Sequence, residues 1–404
     1  MTNNTTLRFD PLDPVNLISP YAAYRNLQET DPIHWGAADD AGLPGRWYVV
    51  RYADVMTVLR DARFGREIGR YVPQPPPLPA DRLLHQVAEG WMILRDPPDH
   101  TRLRSLVSPL YTPRRIQQLR GEIDTAAHAL IDDLRATGPG CDFLTVFALP
   151  LTVHMTACML GLPVADRTLH TDWSRALAAA IDLNQEEGVR SRIRAAVADC
   201  TAYVREVIAA RRRVPQEDVI SALVATEADD TLVVGSVTHL LFVGNDPVMH
   251  MLGNVLITLA AHPHARAWLA ANPHAIEAAL DELMRYDSPV QMTFRYALTD
   301  VELHGKQLRT GDHVAVVLGA ANRDPAYYAD PDRLDLTRPV GTPAHFGMGI
   351  HYCLGAPLAR LEGQIALRAL MAELPELRPA QPLDELAWQR TVAVRGVETL
   401  PVLF

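Results

Sequence analysis

The spacing of apolar residues along the chain predicts a mainly helical protein. Over long stretches in the middle of the sequence, apolar residues recur every three or four positions, as in helices with one buried face. Proline or glycine separates several of these stretches, which is typical of helix ends. The predicted helices cover residues 115–135, 165–212, 216–227, 235–261 and 264–286, with another from Leu354 to Leu374.

Strand patterns are short and flank this helical block. β-Branched and aromatic residues cluster near glycine turns in residues 46–52, 294–308 and 313–320. No internal repeat is present, and the one low-complexity segment is the proline-rich stretch 71–79, which fits either a solvated linker or part of a gate. We therefore expect a single domain, residues 1–404, mainly α with minor β, in which a large helical region adjoins a small β-rich region.

Composition and charge exclude several classes of protein. The chain has 404 residues, of which 48% are hydrophobic and 21% charged, as in globular proteins with a large core. The formal net charge of -10 and the lack of a basic run argue against nucleic-acid binding. The N-terminus lacks the apolar core of a signal peptide, and polar residues interrupt the apolar stretch 231–261. We therefore expect a cytoplasmic protein without a membrane span.

The four cysteines, Cys141, Cys158, Cys200 and Cys353, are far apart in the sequence. Without a CxxC pair they indicate neither a disulfide framework nor a cysteine-rich zinc site, and no HExxH spacing indicates a zinc enzyme. Three of them fit small buried residues. Cys353 differs, because it lies among glycines in the segment HFGMGIHYCLG, just ahead of a predicted helix.

The surroundings of Cys353 favour a metal-bound thiolate. Thiolates bind metals, and the pKa of a thiol falls at a helix N-terminus, where free N–H groups favour negative charge. Gly347, Gly349 and Gly355 carry no side chains, so the backbone can approach a flat ligand and N–H groups can point at the sulfur. One cysteine is too few for a cluster with four thiolates, but it is sufficient as the axial ligand of haem. The alternative is a buried structural cysteine in a glycine-rich loop.

This segment resembles the haem-binding signature of the cytochrome P-450 family, Phe-x-x-Gly-x-x-x-Cys-x-Gly, which falls on Phe346, Gly349, Cys353 and Gly355. The resemblance extends in order over residues 7–404. It implies the cytochrome P-450 fold around one haem b, with Cys353 as the axial iron ligand. It also implies a monooxygenase-type oxidoreductase.

Further family positions surround the cofactor. His100 and Arg104 lie four residues apart in RDPPDHTRLR, on one helix face. The resemblance implies that they donate to the haem propionates together with Arg295 and His351, and charge-assisted hydrogen bonds to carboxylates are the strong kind. Each of the four alone also fits a structural role. The other implied cofactor contacts are Phe346, Gly347 and Gly355.

The segment LDELMRY places Glu282 and Arg285 three residues apart on one helix face. An exposed pair of this kind contributes only about 0–1 kcal/mol. The resemblance implies that the pair is buried behind the haem and joined by Arg338, with Arg333 as the alternative partner. If the pair is buried, removing one partner costs roughly 3–5 kcal/mol, so Glu282→Ala is expected to lose haem and fold together.

The sequence departs from the family in FVGNDPVMHMLGN, residues 242–254. In the family an acid and a threonine at this point of a long helix deliver protons to the oxygen being activated. Gly244 and Asp246 match that pattern, but Pro247 stands in the threonine position. A proline in a helix interior costs about 3 kcal/mol and usually kinks the helix. Water, Asn245 or a substrate hydroxyl would have to replace the missing hydroxyl.

Three interpretations of Pro247 remain open. The first is ordinary hydroxylation or epoxidation, with protons delivered through water, Asp246 or the substrate. The second is chemistry that needs less proton delivery, such as oxidative coupling, ring closure or desaturation. The third is peroxide-driven or weak turnover. A different class, a non-catalytic haem-binding or docking module, is disfavoured because Cys353 and the propionate donors are present.

The implied redox partners follow from two features that the sequence lacks. It has no dinucleotide-binding glycine loop, and its cysteines are too few for an iron–sulfur cluster. Electrons from NAD(P)H would therefore arrive through a ferredoxin and a ferredoxin reductase. Arg102, Arg114, Arg115 and Arg360 are candidates for a cationic docking face. We expect a monomer.

The expected substrate is a small organic molecule, an intermediate of secondary metabolism or antibiotic biosynthesis, either free or bound to a carrier protein. The resemblance implies a lid over the substrate side of the haem, formed by the proline-rich loop 71–79, the chain up to Leu94 and segments near 165–195 and 290–294. Six residues are expected to contact the substrate, and each of them fits core packing equally well. They are Trp91, Met92, Leu94, Val243, Val290 and Met292.

Overall fold

A computed structural model describes residues 9–37, 45–74, 76–181, 187–226 and 229–404. Residues 75, 182–186 and 227, which fall within the predicted loop, lid and helices, lie outside the described residues. The α-helices are α1 (Pro14–Ile18), α2 (Tyr21–Thr30), α3 (Tyr52–Arg60), α4 (Arg82–Ala88), α5 (Asp99–Val107), α6 (Pro113–Gln118), α7 (Arg120–Thr137), α8 (Leu149–Leu160), α9 (Arg167–Ala178), α10 (Glu187–Arg213), α11 (Val219–Thr226), α12 (Asp230–Val243), α13 (Asp246–Ala261), α14 (Pro263–Ala271), α15 (Ile276–Tyr286), α16 (Leu318–Ala321) and α17 (Ala356–Glu373).

Within the described residues, the strands form one five-stranded sheet and two small two-stranded sheets. They are β1 (Ile33–Gly36), β2 (Arg46–Val49), β3 (Phe64–Gly65), β4 (Met292–Ala297), β5 (Val301–Leu303), β6 (Lys306–Leu308), β7 (His313–Val317), β8 (Arg378–Pro379) and β9 (Val402–Leu403). The large sheet has the order β1-β2-β7-β4-β3, in which only β2 and β7 are parallel. In β4, Thr293 and Arg295 share one face, and Met292 lies on the other.

The helical region has two apolar cores. One joins α7, α8, α13, α15 and α17, and the other joins α9, α10, α11 and α12. The sheet contributes two smaller cores, one on each face. The predicted mainly α fold with minor β is therefore confirmed, and α12 and α13 run between the helical layers.

Several predicted elements are shorter than their apolar patterns. The stretch 115–135 is two helices that meet at Leu119, and 264–286 is divided by a short turn that begins at Pro273. The stretch 235–261 is divided between α12 and α13. In each case both pieces bury a face in neighbouring parts of the core, so the apolar pattern continues past the point where the helix is interrupted.

The two longer strand predictions also need correction. Residues 294–308 form three short strands, because His304 and Gly305 both have positive φ and turn the chain between β5 and β6. The strand predicted over 313–320 ends at Val317, where α16 begins. Helix α8 was not predicted, since nearly all of its surface is buried and its apolar residues show little periodicity.

One helical stretch is long and apolar enough to cross a membrane by length and composition. It covers Asp230–Ala261, and 72% of its most apolar window is buried inside the protein. Because this stretch is divided at Gly244 and packs within both helical cores, it has the properties of core helices.

Candidate functional site

Cys353 lies in the loop that leads into α17. Its N–H donates to the Phe346 carbonyl at 2.9 Å, and Gly355 is the N-cap residue of the helix. Burial raises the pKa of the Cys353 thiol, whereas the backbone amides of Gly355 and Ala356 and the charge of Arg104 act in the opposite direction. The expected effect of the helix N-terminus on the thiol pKa is present, but burial outweighs it.

Gly349 allows the cysteine loop to pack on the N-terminal part of the chain. Its φ is 73°, and a Cβ atom here would lie 2.3 Å from the carbonyl oxygen of Leu59 at the end of α3. No other residue fits both conditions. Gly347 also has a positive φ of 70° but has open space around it, so its requirement is for backbone conformation alone.

Two histidines meet beside this loop. The rings of His100 and His351 are 4.4 Å apart between centroids. In the described part of the chain, neither nitrogen of His100 has a hydrogen-bond partner, nor does Nε2 of His351, although these atoms are buried. Burial and the neighbouring arginines Arg104 and Arg295 lower the pKa of both rings. An imidazole carries at least one N–H, so each ring has a donor available to an acceptor.

Arg104 and Arg295 flank the histidine pair. Arg104 donates from Nη1 to the Ile350 carbonyl at 3.1 Å and from Nη2 to the Tyr352 carbonyl at 2.8 Å, so it also holds the cysteine loop. Arg295 is buried on β4, and its Nη1 donates to the adjacent Phe294 carbonyl. The sequence brings these side chains together from α5, β4 and the loop before α17.

Arg66 belongs to the same cluster, and the sequence analysis missed it. Its Nη2 donates to Thr293 Oγ1 at 2.7 Å, its Nε is buried without a hydrogen-bond partner, and its charge helps to lower the pKa of His351. Arg66 follows β3, which pairs with β4. No local signal could have identified it, because its position depends on strand pairing between distant segments.

The Glu282 and Arg285 pair is fully buried on α15. Arg285 donates to both Glu282 oxygens at 2.7 and 2.9 Å, and its Nη1 donates to the carbonyls of Asn322 and Pro331. Arg338 Nε donates to Glu282 Oε1 at 3.2 Å. Of the two candidates, Arg338 supplies the side chain, while Arg333 contributes its carbonyl oxygen as an acceptor for Arg338.

Asn245 lies at the junction of α12 and α13, and its side-chain amide joins this junction to α8 and α9. Its Oδ1 accepts from Thr156 on α8 at 2.6 Å, and its Nδ2 donates to Ser174 Oγ on α9 at 3.1 Å and to the Leu241 carbonyl at 2.7 Å. Both amide hydrogens of Asn245 are therefore committed to partners in the core, so of the three candidates to replace the missing hydroxyl it has only its oxygen left to offer.

Pro247 is the second residue of α13 and not an interior residue of one long helix. A helix needs no backbone N–H at this position, so the expected cost of an interior proline does not arise. Gly244 is the C-cap residue of α12 and packs closely against α8. A Cβ atom at this position would lie 2.8 Å from Thr156 Oγ1. The junction is thus an interruption of the helix that places Pro247 where a helix accepts proline.

Asp246 begins α13 and is partly exposed, and it faces His250 one turn later. Asp246 Oδ1 and His250 Nε2 are 3.6 Å apart, and among the described residues neither ring nitrogen of His250 has a hydrogen-bond partner. The buried imidazole fits because residue 396 is glycine: a Cβ atom there would lie 1.9 Å from His250 Nδ1. His250 was not predicted, and only its spacing of four residues from Asp246 could have indicated it.

Three of the six substrate-contact candidates are core residues. Trp91 donates from its indole N–H to Thr238 Oγ1 and packs on Phe242, and Met92 is buried in the same core. Met292 faces the sheet core opposite Arg295. By contrast, the remaining candidates keep exposed surface: Leu94, Val243 and Val290.

The candidate docking arginines are not equivalent. Arg114 and Arg115 are exposed on α6, as Arg102 is on α5. Arg360 is half-buried, donates to Asp281 at 2.8 Å and lies 4.6 Å above the Phe346 ring, so it supports the cysteine loop from the side of α17.

Comparison with known proteins places this architecture in one family. The family model described as Cytochrome P450 matches residues 274–376. The chain is 34% identical over 398 residues to the polyketide biosynthesis cytochrome P450 PksS of Bacillus subtilis, covering 95% of each protein. It is 35% identical over 401 residues to mycinamicin IV hydroxylase/epoxidase of Micromonospora griseorubida, covering 98% of each.

A solved structure agrees with these relatives. P450BioI in complex with hexadec-9Z-enoic acid ligated acyl carrier protein has a TM-score of 0.89 and 33% identity, covering 96% of this chain and 99% of that chain. The chain therefore belongs to the bacterial cytochrome P450 family. It is a haem-dependent, monooxygenase-type oxidoreductase with a thiolate ligand, and its electrons come from NAD(P)H through partner proteins, as is standard for this family.

The residues present fit haem. Cys353 is the one cysteine within the matched range 274–376. The unpartnered nitrogens of His100 and His351, together with Arg66 and Arg295, form a cluster of donors beside the cysteine loop. Such a donor set matches the carboxylates of a porphyrin that is held at its metal by a neighbouring thiolate.

Proposed function

We propose that this cytochrome P450 hydroxylates or epoxidises a small organic intermediate of secondary metabolism, with Cys353 as the axial ligand. Haem held by a thiolate activates dioxygen with two external electrons for transfer of one oxygen atom to a substrate. His100, His351, Arg295 and Arg104 hold the propionates in this proposal. The relatives named for polyketide biosynthesis and for mycinamicin oxidation support this substrate class.

The observation that carries the proposal is the placement of unpartnered donors beside the cysteine loop. His100 comes from α5 and His351 from the loop itself, yet their rings are in contact. Burying donors without acceptors costs about 1–3 kcal/mol each, so a protein built this way needs an acceptor there. A haem carboxylate supplies one.

Proton supply is assigned to Asp246 and His250. Pro247 offers no hydroxyl, and Asn245 has its polar atoms in the core. The His250 ring is close enough to Asp246 to share a proton with its carboxylate after a small movement. In this proposal, water or a substrate hydroxyl carries the proton from Asp246 and His250 towards the substrate.

A second candidate function follows from the same junction. A site with Pro247 in place of the family's threonine hydroxyl suits reactions that need less proton delivery. These are oxidative coupling, ring closure, desaturation and peroxide-driven oxidation. The two functions predict different product chemistry and different oxidant requirements.

Delivery by a carrier protein belongs to this proposal as well. A bacterial relative of nearly the same length is seen with a fatty acid on an acyl carrier protein. We expect the substrate to be a carrier-bound acyl chain or its released product, and electrons to arrive from a ferredoxin that is reduced by a ferredoxin reductase. Arg114 and Arg115 are the docking candidates that remain exposed without a described partner.

The first test is the spectrum of the reduced carbonyl complex, in which thiolate ligation gives a strongly red-shifted Soret band. Wild type should show this band and Cys353→Ser should lose it, with Cys141→Ser as the matched control. Absence of the band in the wild type would overturn the assignment of Cys353.

The second test separates the two candidate reactions. Free and carrier-bound acyl substrates are supplied with ferredoxin, reductase and NADPH, or with hydrogen peroxide alone, for wild type and Pro247→Thr. Oxygenated product in proportion to NADPH consumed by the wild type supports monooxygenation. Products without added oxygen, or turnover with peroxide only, would support the second candidate instead.

A further inference from the structure

Helices α7 and α8 bring three side chains of metal-ligand type together on the outer face of the helical region. They are Glu122 in the first turn of α7, and His154 and Cys158 on α8. Their potential ligand atoms lie within 4.8 Å of one another. Neither the haem site nor the junction at Asn245 uses any of the three.

The arrangement follows from helix geometry. Residues four apart on a helix face the same side, so His154 and Cys158 present one nitrogen and one sulfur in the same direction. His154 Nε2 lies 3.6 Å from Cys158 Sγ and 2.7 Å from Glu122 Oε1. The two α8 residues are only partly exposed, whereas Glu122 is more open to solvent.

The distance between His154 Nε2 and Cys158 Sγ matches a tetrahedral zinc site, whereas the distance between His154 Nε2 and Glu122 Oε1 is too short for one. With Zn–S near 2.3 Å and Zn–N near 2.0 Å, tetrahedral angles place nitrogen and sulfur about 3.6 Å apart. The same geometry needs a nitrogen to oxygen distance of about 3.4 Å, so Glu122 must withdraw by roughly 0.7 Å. The carboxylate is the exposed and flexible member of the group, so this movement meets little resistance.

The types of ligand select the class of metal. An imidazole and a thiolate suit zinc and similar borderline or soft ions, and they disfavour magnesium and calcium, which prefer oxygen ligands. Binding releases the thiol proton of Cys158 to solvent. Three protein ligands leave one position for water.

We propose that Glu122, His154 and Cys158 form a zinc site that fastens the first turn of α7 to α8. The site is separate from the haem. Thr156 lies between His154 and Cys158 on α8, and its hydroxyl donates to Asn245 at the junction of α12 and α13. Zinc thereby fixes the helix that holds this junction.

The experiment measures zinc on the haem-loaded protein. Chelator-treated wild type is incubated with zinc sulfate, freed of unbound metal and analysed for zinc per chain, beside His154→Ala, Cys158→Ser and Glu122→Gln. We expect one zinc per wild-type chain, at least a tenfold loss of affinity in the first two variants and a smaller loss in the third. Cys141→Ser and His128→Ala are the matched controls, because His128 also has acidic neighbours but no cysteine beside it.

A second readout does not depend on retained metal. Zinc should slow alkylation of Cys158 by iodoacetamide and raise the melting temperature of wild type but not of Cys158→Ser. An unchanged Soret spectrum shows that each variant is folded. If wild type retains no more zinc than Cys158→Ser, or if zinc leaves the alkylation of Cys158 unchanged, the site does not exist.

Discussion

Behind the cysteine loop, Glu282 and Arg285 are buried with partners for both carboxylate oxygens and for every guanidinium nitrogen. At the junction of α12 and α13, by contrast, His250 is buried with no hydrogen bond to either ring nitrogen, and Asp246 reaches it only at 3.6 Å. In the first region every polar group has a partner, so removing one group leaves the others buried and unpaired. The second retains groups that can still change partner. It is also the region in which the sequence departs from the family pattern.

The largest effect is expected behind the cysteine loop. Glu282→Ala leaves Arg285 charged and buried, so it should lower the free energy of unfolding by roughly 3–5 kcal/mol and prevent haem retention. Asp246→Ala should cost less than about 1 kcal/mol, because Asp246 is partly exposed and only loosely paired. Urea unfolding and haem content measure both. Equal costs for the two variants would contradict the contrast between the regions.

The donor cluster should show an intermediate effect on cofactor binding. His100→Ala removes one donor to a carboxylate, which is worth about 1.5–3 kcal/mol, so haem should dissociate roughly ten- to a hundredfold more readily. Transfer of haem to apomyoglobin measures this. The exposed His274 provides the control substitution, His274→Ala, which should leave the transfer rate unchanged.

A substitution at Gly396, which packs against His250, should have an effect of similar or smaller size, here on the free energy of unfolding. Gly396→Ala forces the imidazole to move and should cost about 1–3 kcal/mol. His250→Ala in the same chain should restore most of that loss, because it removes the clashing ring. Gly121→Ala, at a helix position with open space, should not destabilise the protein. A double variant no more stable than Gly396→Ala would show that the glycine has another role.

The effect that builds up most gradually concerns pH. Burial raises the pKa of Glu362 well above its usual range, so the folded protein holds a proton that the unfolded chain releases near pH 4.3. Wild type therefore loses stability as pH rises above that value, by at most about 1.4 kcal/mol per pH unit, until the folded-state pKa is passed. Glu362→Gln should remove this loss, so its advantage over wild type grows with pH. Urea unfolding between about pH 5 and 8 measures it, and Glu376→Gln, at an exposed position, should track wild type.

The parts of the molecule that the sequence predicted are those governed by local pattern. The helix that follows Cys353 was expected over 354–374 and extends over Ala356–Glu373, because a proline near its start and a continuous apolar face define it locally. The glycines of the cysteine loop were identified for the same reason. The contact between Glu282 and Arg338 needed the family resemblance, since nothing local distinguishes Arg338 from Arg333.

What could not be predicted depends on distant segments. Arg66 joins the donor cluster only through the pairing of β3 with β4. Asn245 turns into the core only because α8 and α9 offer Thr156 and Ser174 as partners. Pro247 was expected to strain a helix interior, but whether a proline is interior depends on where the preceding helix ends.

The hydrogen bond between Asn245 and Ser174 holds α9 against the junction of α12 and α13. Helix α9 cannot move outward without leaving the Asn245 amide or the Ser174 hydroxyl unpaired in the core, which costs about 1–3 kcal/mol. Any outward movement of α9 is therefore coupled to the junction of α12 and α13, because one amide side chain joins the two.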